Sequence, residues 1–143
     1  MIAFAEVTDL LGVGKPRNAI ESPLRLVDLI EKGLPLKALD RLCARIAPSD
    51  TTFKYRIVPK ATVARAYYGV RLNAAQSTRI ARLAAIRAQT RKIWGSDQEA
   101  RDFLFRPHQI LAGRRPIDVA IGTELGGELV RDLLGRLEHG ATV

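Results

Sequence analysis

Between Thr51 and Ser96 the chain carries Lys54, Arg56, Lys60, Arg65, Arg71, Arg79, Arg82, Arg87, Arg91 and Lys92, and not one Asp or Glu. Charge of a single sign over that length suits a polyanion, because each cation set against a phosphate releases a condensed counterion. Lys60, Thr62 and Arg65 stand at the start of an expected helix, the position from which side chains reach base edges and phosphates in a major groove. With Lys54, Arg56 and Arg71 beside them, they form the expected DNA contact. A solvated basic helix would show the same spacing, so the residues alone leave both readings open.

Chemistry of other kinds finds little support. His108 and His139 are isolated, and no Gly-rich phosphate loop or Ser/His/Asp arrangement is visible. Gly122-x-x-x-Gly126-Gly127 does not follow a strand, so it lacks the setting of a nucleotide loop. The expectation is a binding protein, not an enzyme, with no cofactor and no metal. Cys43 is the single cysteine, which rules out an internal disulfide and a zinc site built on cysteine pairs, and it is expected to be a small buried hydrophobe. The first residues lack a basic segment followed by an apolar run, and no long apolar stretch occurs, so the sequence predicts a cytoplasmic protein without a membrane span.

The elements that must position these residues are helical. At 143 residues the chain fits one domain or two small halves. With 47% hydrophobic but only 6% aromatic residues, its core should be Leu, Ile, Val and Ala, which favours an all-α fold. Residues 1–22 contain Gly12, Gly14, Pro16 and Asn18 and are read as an arm. Ser22-Pro23 opens a helix ending at Gly33, with Leu24, Val27 and Ile30 on its apolar face. A second helix follows Pro35, carrying Leu36, Leu39, Leu42, Cys43 and Ile46 on one stripe. A short helix from Phe53 to Arg56, a break at Val58-Pro59 and a helix from Lys60 to Tyr68 give the outline of a helix-turn-helix. In it Val63, Ala66 and Tyr67 should face inward, and Tyr67 and Tyr68 are expected to be packing residues.

The longest helix should run from Ala74 to Trp94. Its arginines have no acidic neighbour on the same helix, so they must pair with another segment, another subunit or phosphate. Shorter helices follow over Asp97–Leu104 and Ile117–Ala120. A terminal helix carries Leu125, Leu129, Val130, Leu133, Leu134 and Leu137, more apolar coverage than a small core uses, which hints at an interface. Arg114 and Arg115, in the turn before Pro116, are either solvated or binding charges. The expected organisation is an arm over 1–22, a helix-turn-helix domain over 23–72, and a connecting helix with a terminal domain over 73–143.

The terminal half carries Ala100-Arg101-Asp102-Phe103-Leu104-Phe105-Arg106-Pro107, then Leu111-Ala112-Gly113-Arg114-Arg115-Pro116-Ile117-Asp118, then Leu133-Leu134-Gly135-Arg136-Leu137-Glu138-His139-Gly140. It resembles the Xre/MbcA/ParS toxin-binding domain of bacterial antitoxins. Through Ile57-Val58-Pro59-Lys60-Ala61-Thr62 and Gln76-Ser77-x-Arg79-Ile80-x-Arg82-Leu83, the preceding half resembles the Xre-like, Cro-related helix-turn-helix of RES–Xre systems. The resemblance implies an antitoxin that binds a cognate RES-type, NAD-consuming toxin and represses its own operon by binding operator DNA as a homodimer. It also implies that the C-terminal end approaches the toxin's active-site cleft, which assigns toxin binding to Leu134, Arg136, Leu137, His139 and Gly140, with Arg114 and Arg115 counted beside them. The alternative is a stand-alone helix-turn-helix regulator whose C-terminal half dimerises or senses a ligand.

Overall fold

Asn73 opens the longest helix with a reciprocal cap: its Oδ1 accepts from the Gln76 amide at 2.8 Å, and the Gln76 Oε1 accepts from the Asn73 amide at 3.0 Å. Gly95, at φ +79°, closes that helix in a conformation that costs glycine nothing. The computed structural model describes residues 4–13 and 23–140. Over these it is all-α, with nine α-helices and no strand beyond one isolated bridge between His108 and Arg114. The chain divides into two compact units, Met1–Ala85 and Ile86–Val143, with the division inside the long helix. Nearly all of the net charge of +8 lies in the first unit.

The first unit contains α1 (Phe4–Leu11), α2 (Pro23–Lys32), α3 (Leu36–Ile46), α4 (Lys54–Ile57), α5 (Lys60–Tyr67) and the start of α6 (Ala74–Trp94). The expected arm is a helix where it is described. Val7 and Leu11, one turn apart, are buried as α1 packs on α3, and Arg41 donates to the Asp9 and Leu10 carbonyls at the end of α1, both at 3.4 Å. The rest of the arm, 1–3 and 14–22, lies outside the described residues. On α2 the buried residue is Leu26, whereas Leu24 and Val27 are exposed, so the expected face was rotated. On α3 Leu39, Leu42 and Ile46 are buried as the stripe predicts, and Leu36 and Cys43 are partly covered. Burial first, then the nearby Asp40 carboxylate, pushes the Cys43 thiol up to about 12, so it stays protonated and is no nucleophile at neutral pH.

Val58 is extended before Pro59, which separates α4 from α5. Ile57, Val58, Val63 and Ala66 are buried and seat the two helices on the core. Tyr67 and Tyr68 are 75% and 85% exposed, against the expectation that they pack; their rings meet each other edge to face at 5.4 Å. Adjacent positions on a helix point about 100° apart, and with Val63 and Ala66 already on the inner face, neither ring has a place in the core. The segment leading into α6 is fastened to the corner between α2 and α3. Leu72 N–H donates to the Leu34 carbonyl at 3.0 Å, Leu34 N–H donates to the buried Ser77 hydroxyl at 2.9 Å, and Arg71 donates to the Gly33 carbonyl at 2.9 Å.

The second unit holds the end of α6, α7 (Asp97–Phe105), a 3-10 turn (Gln109–Leu111), α8 (Pro116–Gly122) and α9 (Glu124–Glu138). Ser96 caps α7 by accepting from the Glu99 amide, and Thr123 caps α9 by accepting from the Gly126 amide at 2.9 Å. Leu104, Ile117, Ala120, Val130 and Leu134 are fully or almost fully buried. α8 meets α9 so closely that a Cβ on Gly126 would run into the Val119 carbonyl.

Two of the α6 arginines find their partner one helix on. Arg87, 3% exposed, donates to Asp97 Oδ1 at 2.9 Å, and Arg91 donates to the same oxygen at 3.0 Å. Chiefly through the Arg87 hydrogen bond, this holds the Asp97 carboxyl below the usual carboxylate range. A depressed carboxyl binds its proton more weakly folded than unfolded, so its contribution is whole above its ordinary value of 3.8 and fades as pH falls through the lower folded value. Asp97→Asn should therefore lower the melting temperature at pH 7 by a few degrees, and the difference from the parent should shrink as pH falls below 3.8, as thermal melts across that range would show.

Candidate functional sites

The six cations and hydroxyls expected at DNA do not all face outward in the same way. Lys60 and Arg65 are exposed on α5, with the Arg65 guanidinium donating to Thr62 Oγ1 at 3.2 Å across one turn. Thr62 thus positions an arginine instead of projecting freely. Arg56 is exposed next to the break, 5.6 Å from the Phe53 ring centroid. Lys54 is partly withdrawn, with Nζ 4.0 Å from Asp40 Oδ1. Arg71 is exposed but committed to the Gly33 carbonyl, so its first role is structural. Lys54 and Lys60 both lie 5.6 Å from the Tyr55 ring centroid, an aromatic spacer that the charge pattern did not reveal. Of the other arginines in the acid-free stretch, Arg79 donates to the Ile57 carbonyl at 2.8 Å and ties α6 to the end of α4. Arg56, Lys60 and Arg65 are the exposed cations of α4 and α5.

In the second unit the expected contact residues divide more sharply. Leu134 is fully buried, so it is a core residue and presents nothing to a partner. The terminal helix turns Val130, Leu133 and Leu134 inward, and a leucine on that stripe cannot also face out. Arg115 is also committed: its Nε and Nη2 donate to the two oxygens of Asp118 at 2.7 and 2.9 Å, which raises its already high pKa, and its guanidinium lies 5.5 Å from the Phe105 ring centroid. Arg136, His139 and Gly140 are exposed at the end of α9, and Leu137 is half-buried there. Arg114 is exposed and lines a groove of about 250 Å³ between α8 and α9, together with Val119, Gly122, Leu125, Gly126 and Leu129. Leu125 and Leu129 are 74% and 46% exposed, and Gly126 lets their helix approach α8. The period-four leucine pattern contained these two residues, but it could not show which leucines of the helix face out.

Two family models match the chain. Residues 25–85 match the antitoxin Xre-like helix-turn-helix domain, and residues 89–140 match the antitoxin Xre/MbcA/ParS C-terminal toxin-binding domain. The chain belongs to the Xre/MbcA/ParS-type antitoxins. No individual curated protein matches it.

The two matches meet near the boundary between the compact units, so in this antitoxin the helix-turn-helix domain precedes, and the toxin-binding domain follows, the division within α6 along the chain. The exposed cations of α4 and α5 fall in the first match. The α8–α9 groove, Arg136 and His139 fall in the second. Both matched families are regulatory rather than enzymatic in kind. Among the described residues no helix is long and apolar enough to cross a membrane, and no group of His, Cys, Asp and Glu is placed to hold a metal.

Proposed function

We propose that the protein is a type II antitoxin that inhibits a RES-type, NAD-consuming toxin and represses its own operon as a homodimer in the cytoplasm. The observation that carries this reading is the joining of a toxin-binding domain to a helix-turn-helix domain with exposed Arg56, Lys60 and Arg65. The RES partner is supported by the sequence resemblance of the helix-turn-helix half to that of RES–Xre systems. Inhibition requires no catalytic group on this chain: Arg136, Leu137, His139 and Gly140, at the end of α9, are the residues that would occupy the toxin's cleft and exclude its substrate. The apolar rim of Leu125 and Leu129, with Arg114 beside it, supports a broader seat for the toxin on the same domain.

Homodimerisation follows from the economy of DNA recognition, since one short helix-turn-helix reads few bases and two-fold half-sites double the contact. Co-expression with the product of the neighbouring gene, expected to be a RES-type toxin, is the test of function. Growth and cellular NAD should be preserved with this chain and lost without it; equal toxicity in both cells would overturn the proposal.

The DNA half has its own expected result. Replacing both Lys60 and Arg65 by Ala removes two phosphate or base contacts per protomer, so affinity for promoter DNA should fall by about 100-fold at physiological salt. The slope of log affinity against log salt should flatten by about two for each protomer bound. Toxin neutralisation should be unchanged, because neither residue belongs to the second unit.

A further inference from the structure

A second groove in the C-terminal unit has a different chemistry from the apolar one between α8 and α9. It encloses about 540 Å³ and is lined by Trp94, Glu99, Asp102, Phe103, Arg106 and His108. Its floor is a run of three rings. Trp94 stacks on Phe103 with centroids 4.3 Å apart, and Phe103 meets His108 at 4.7 Å. The His108 Nε2 lies 3.1 Å from the Phe103 carbonyl; that oxygen can only accept, so Nε2 carries the proton and, in the neutral ring, Nδ1 keeps a lone pair. Along the rim, one turn of α7 sets Glu99 and Asp102 side by side. Asp102 accepts from Gln98 at 2.8 Å, and neither carboxylate has a cationic partner among the described residues. Arg106, also on the lining, forms no ion pair with either one.

Phe103 is 4% exposed between Trp94 and His108, so the ring surface offered to a ligand is that of half-buried Trp94, and with two carboxylates at the edge and an acceptor nitrogen at one end it is complementary to a planar cation with several N–H donors. An arginine guanidinium satisfies all three at once: it stacks flat on an aromatic face and donates in the ring plane to carboxylates. An ammonium is a point charge and does only the second. The space is also larger than one side chain fills, leaving room for the backbone on either side of it. The groove lies wholly within residues 89–140, the toxin-binding match. We infer that the α6–α7 groove floored by Trp94, Phe103 and His108 receives an arginine side chain of the toxin, a second anchor apart from the apolar groove and the end of α9. The inference rests on the reading of this domain as toxin-binding, but its chemistry can be tested without the toxin.

Trp94 is the only tryptophan in the chain, so its fluorescence reports occupancy of the groove directly. The full-length protein is titrated with the capped tripeptide Gly-Arg-Gly, with capped Gly-Glu-Gly and with agmatine. The arginine peptide should change the emission saturably, and the glutamate peptide should not. In Glu99→Gln/Asp102→Asn, which keeps both side-chain shapes and the Gln98 hydrogen bond, affinity should fall about tenfold, as losing two half-screened ion pairs requires. Arg106→Ala should instead tighten binding about threefold by removing a competing cation. Circular dichroism checks that both variants remain folded.

A linear response, or one equal for both peptides or unchanged in the double variant, overturns the site. Agmatine binding as tightly as the tripeptide overturns the assignment to a polypeptide side chain. In the purified complex with the toxin the peptide response should vanish; a response that persists there shows that the occupant is not the toxin. Failure to form any complex, with the peptide response intact, would count against the proposed function and leave the groove's chemistry standing.

Discussion

Leu134→Asp is expected to unfold the C-terminal unit rather than to remove a contact with the toxin. The side chain is fully buried beside Val130 and Leu133 on the inner face of α9. Truncating a buried leucine typically costs about 2–5 kcal/mol, and burying a carboxylate in its place adds several more, whereas a whole domain of this size is stable by about 5–15 kcal/mol. Chemical denaturation should show the loss of the transition of this unit, and toxin binding would disappear with it. Leu129→Asp is the informative partner. Leu129 is 46% exposed on the rim of the α8–α9 groove, so the substitution should leave the melting temperature within a few degrees while weakening toxin binding by about tenfold or more. If Leu134→Asp instead folds and loses only toxin binding, the terminal helix is turned the other way.

The difference between these two leucines shows where the sequence was readable and where it was not. The all-α class and the limits of α2, α3, α5 and α6 depend on local chemistry: a proline that cannot donate, a glycine past the last turn. Local rules see such features directly. Which side of a helix is buried depends on what packs against it. A stripe as broad as that of α9 offers several faces, and only the close approach of α8 at Gly126 selects Val130 and Leu134 over Leu125 and Leu129. The same ambiguity turned α2, where Leu26 is buried and Leu24 and Val27 are not.

Charge was legible as a total and much less so residue by residue. The acid-free stretch correctly placed a cationic surface in the helix-turn-helix half, yet several of its members serve the fold. Arg71 holds the Gly33 carbonyl, Arg79 holds that of Ile57, and Arg87 and Arg91 share Asp97. The sequence required the arginines of α6 to find partners off their own helix, and Asp97, just past the helix end, is one of them. No local rule connects Arg71 to a carbonyl 38 positions away, so composition alone does not tell which of these cations serve the fold. Tyr67 and Tyr68 were misplaced for a related reason: their apolar bulk suggests burial, but Val63 and Ala66 had already taken the inward positions of the short α5.

Gly33→Ala should be the most damaging conservative change in the DNA-binding unit, although it adds a single methyl group. Gly33 sits at φ +96°, where an L side chain is strained, and a Cβ there would run into the Leu72 carbonyl, which as backbone cannot swing aside. Relief requires the segment 71–77 to move away from the α2–α3 corner. That movement breaks the Leu72–Leu34 backbone pair, the Arg71 bond to the Gly33 carbonyl, and the bond from Leu34 N–H to the buried Ser77 hydroxyl. Strain of about 1–2 kcal/mol from the backbone and about 1–3 kcal/mol from a buried amide left without an acceptor give an expected loss of about 2–5 kcal/mol, much of the margin of a small unit. Hydrogen exchange at the Leu34 and Leu72 amides should rise first. Ser77→Ala removes only the last of the three bonds and should be milder, and the double variant should lose less than the two singles combined, because the first change has already opened the contact that the second would break. Additive losses would show that the corner and the start of α6 are held independently, and DNA binding would then survive Gly33→Ala wherever the unit stays folded.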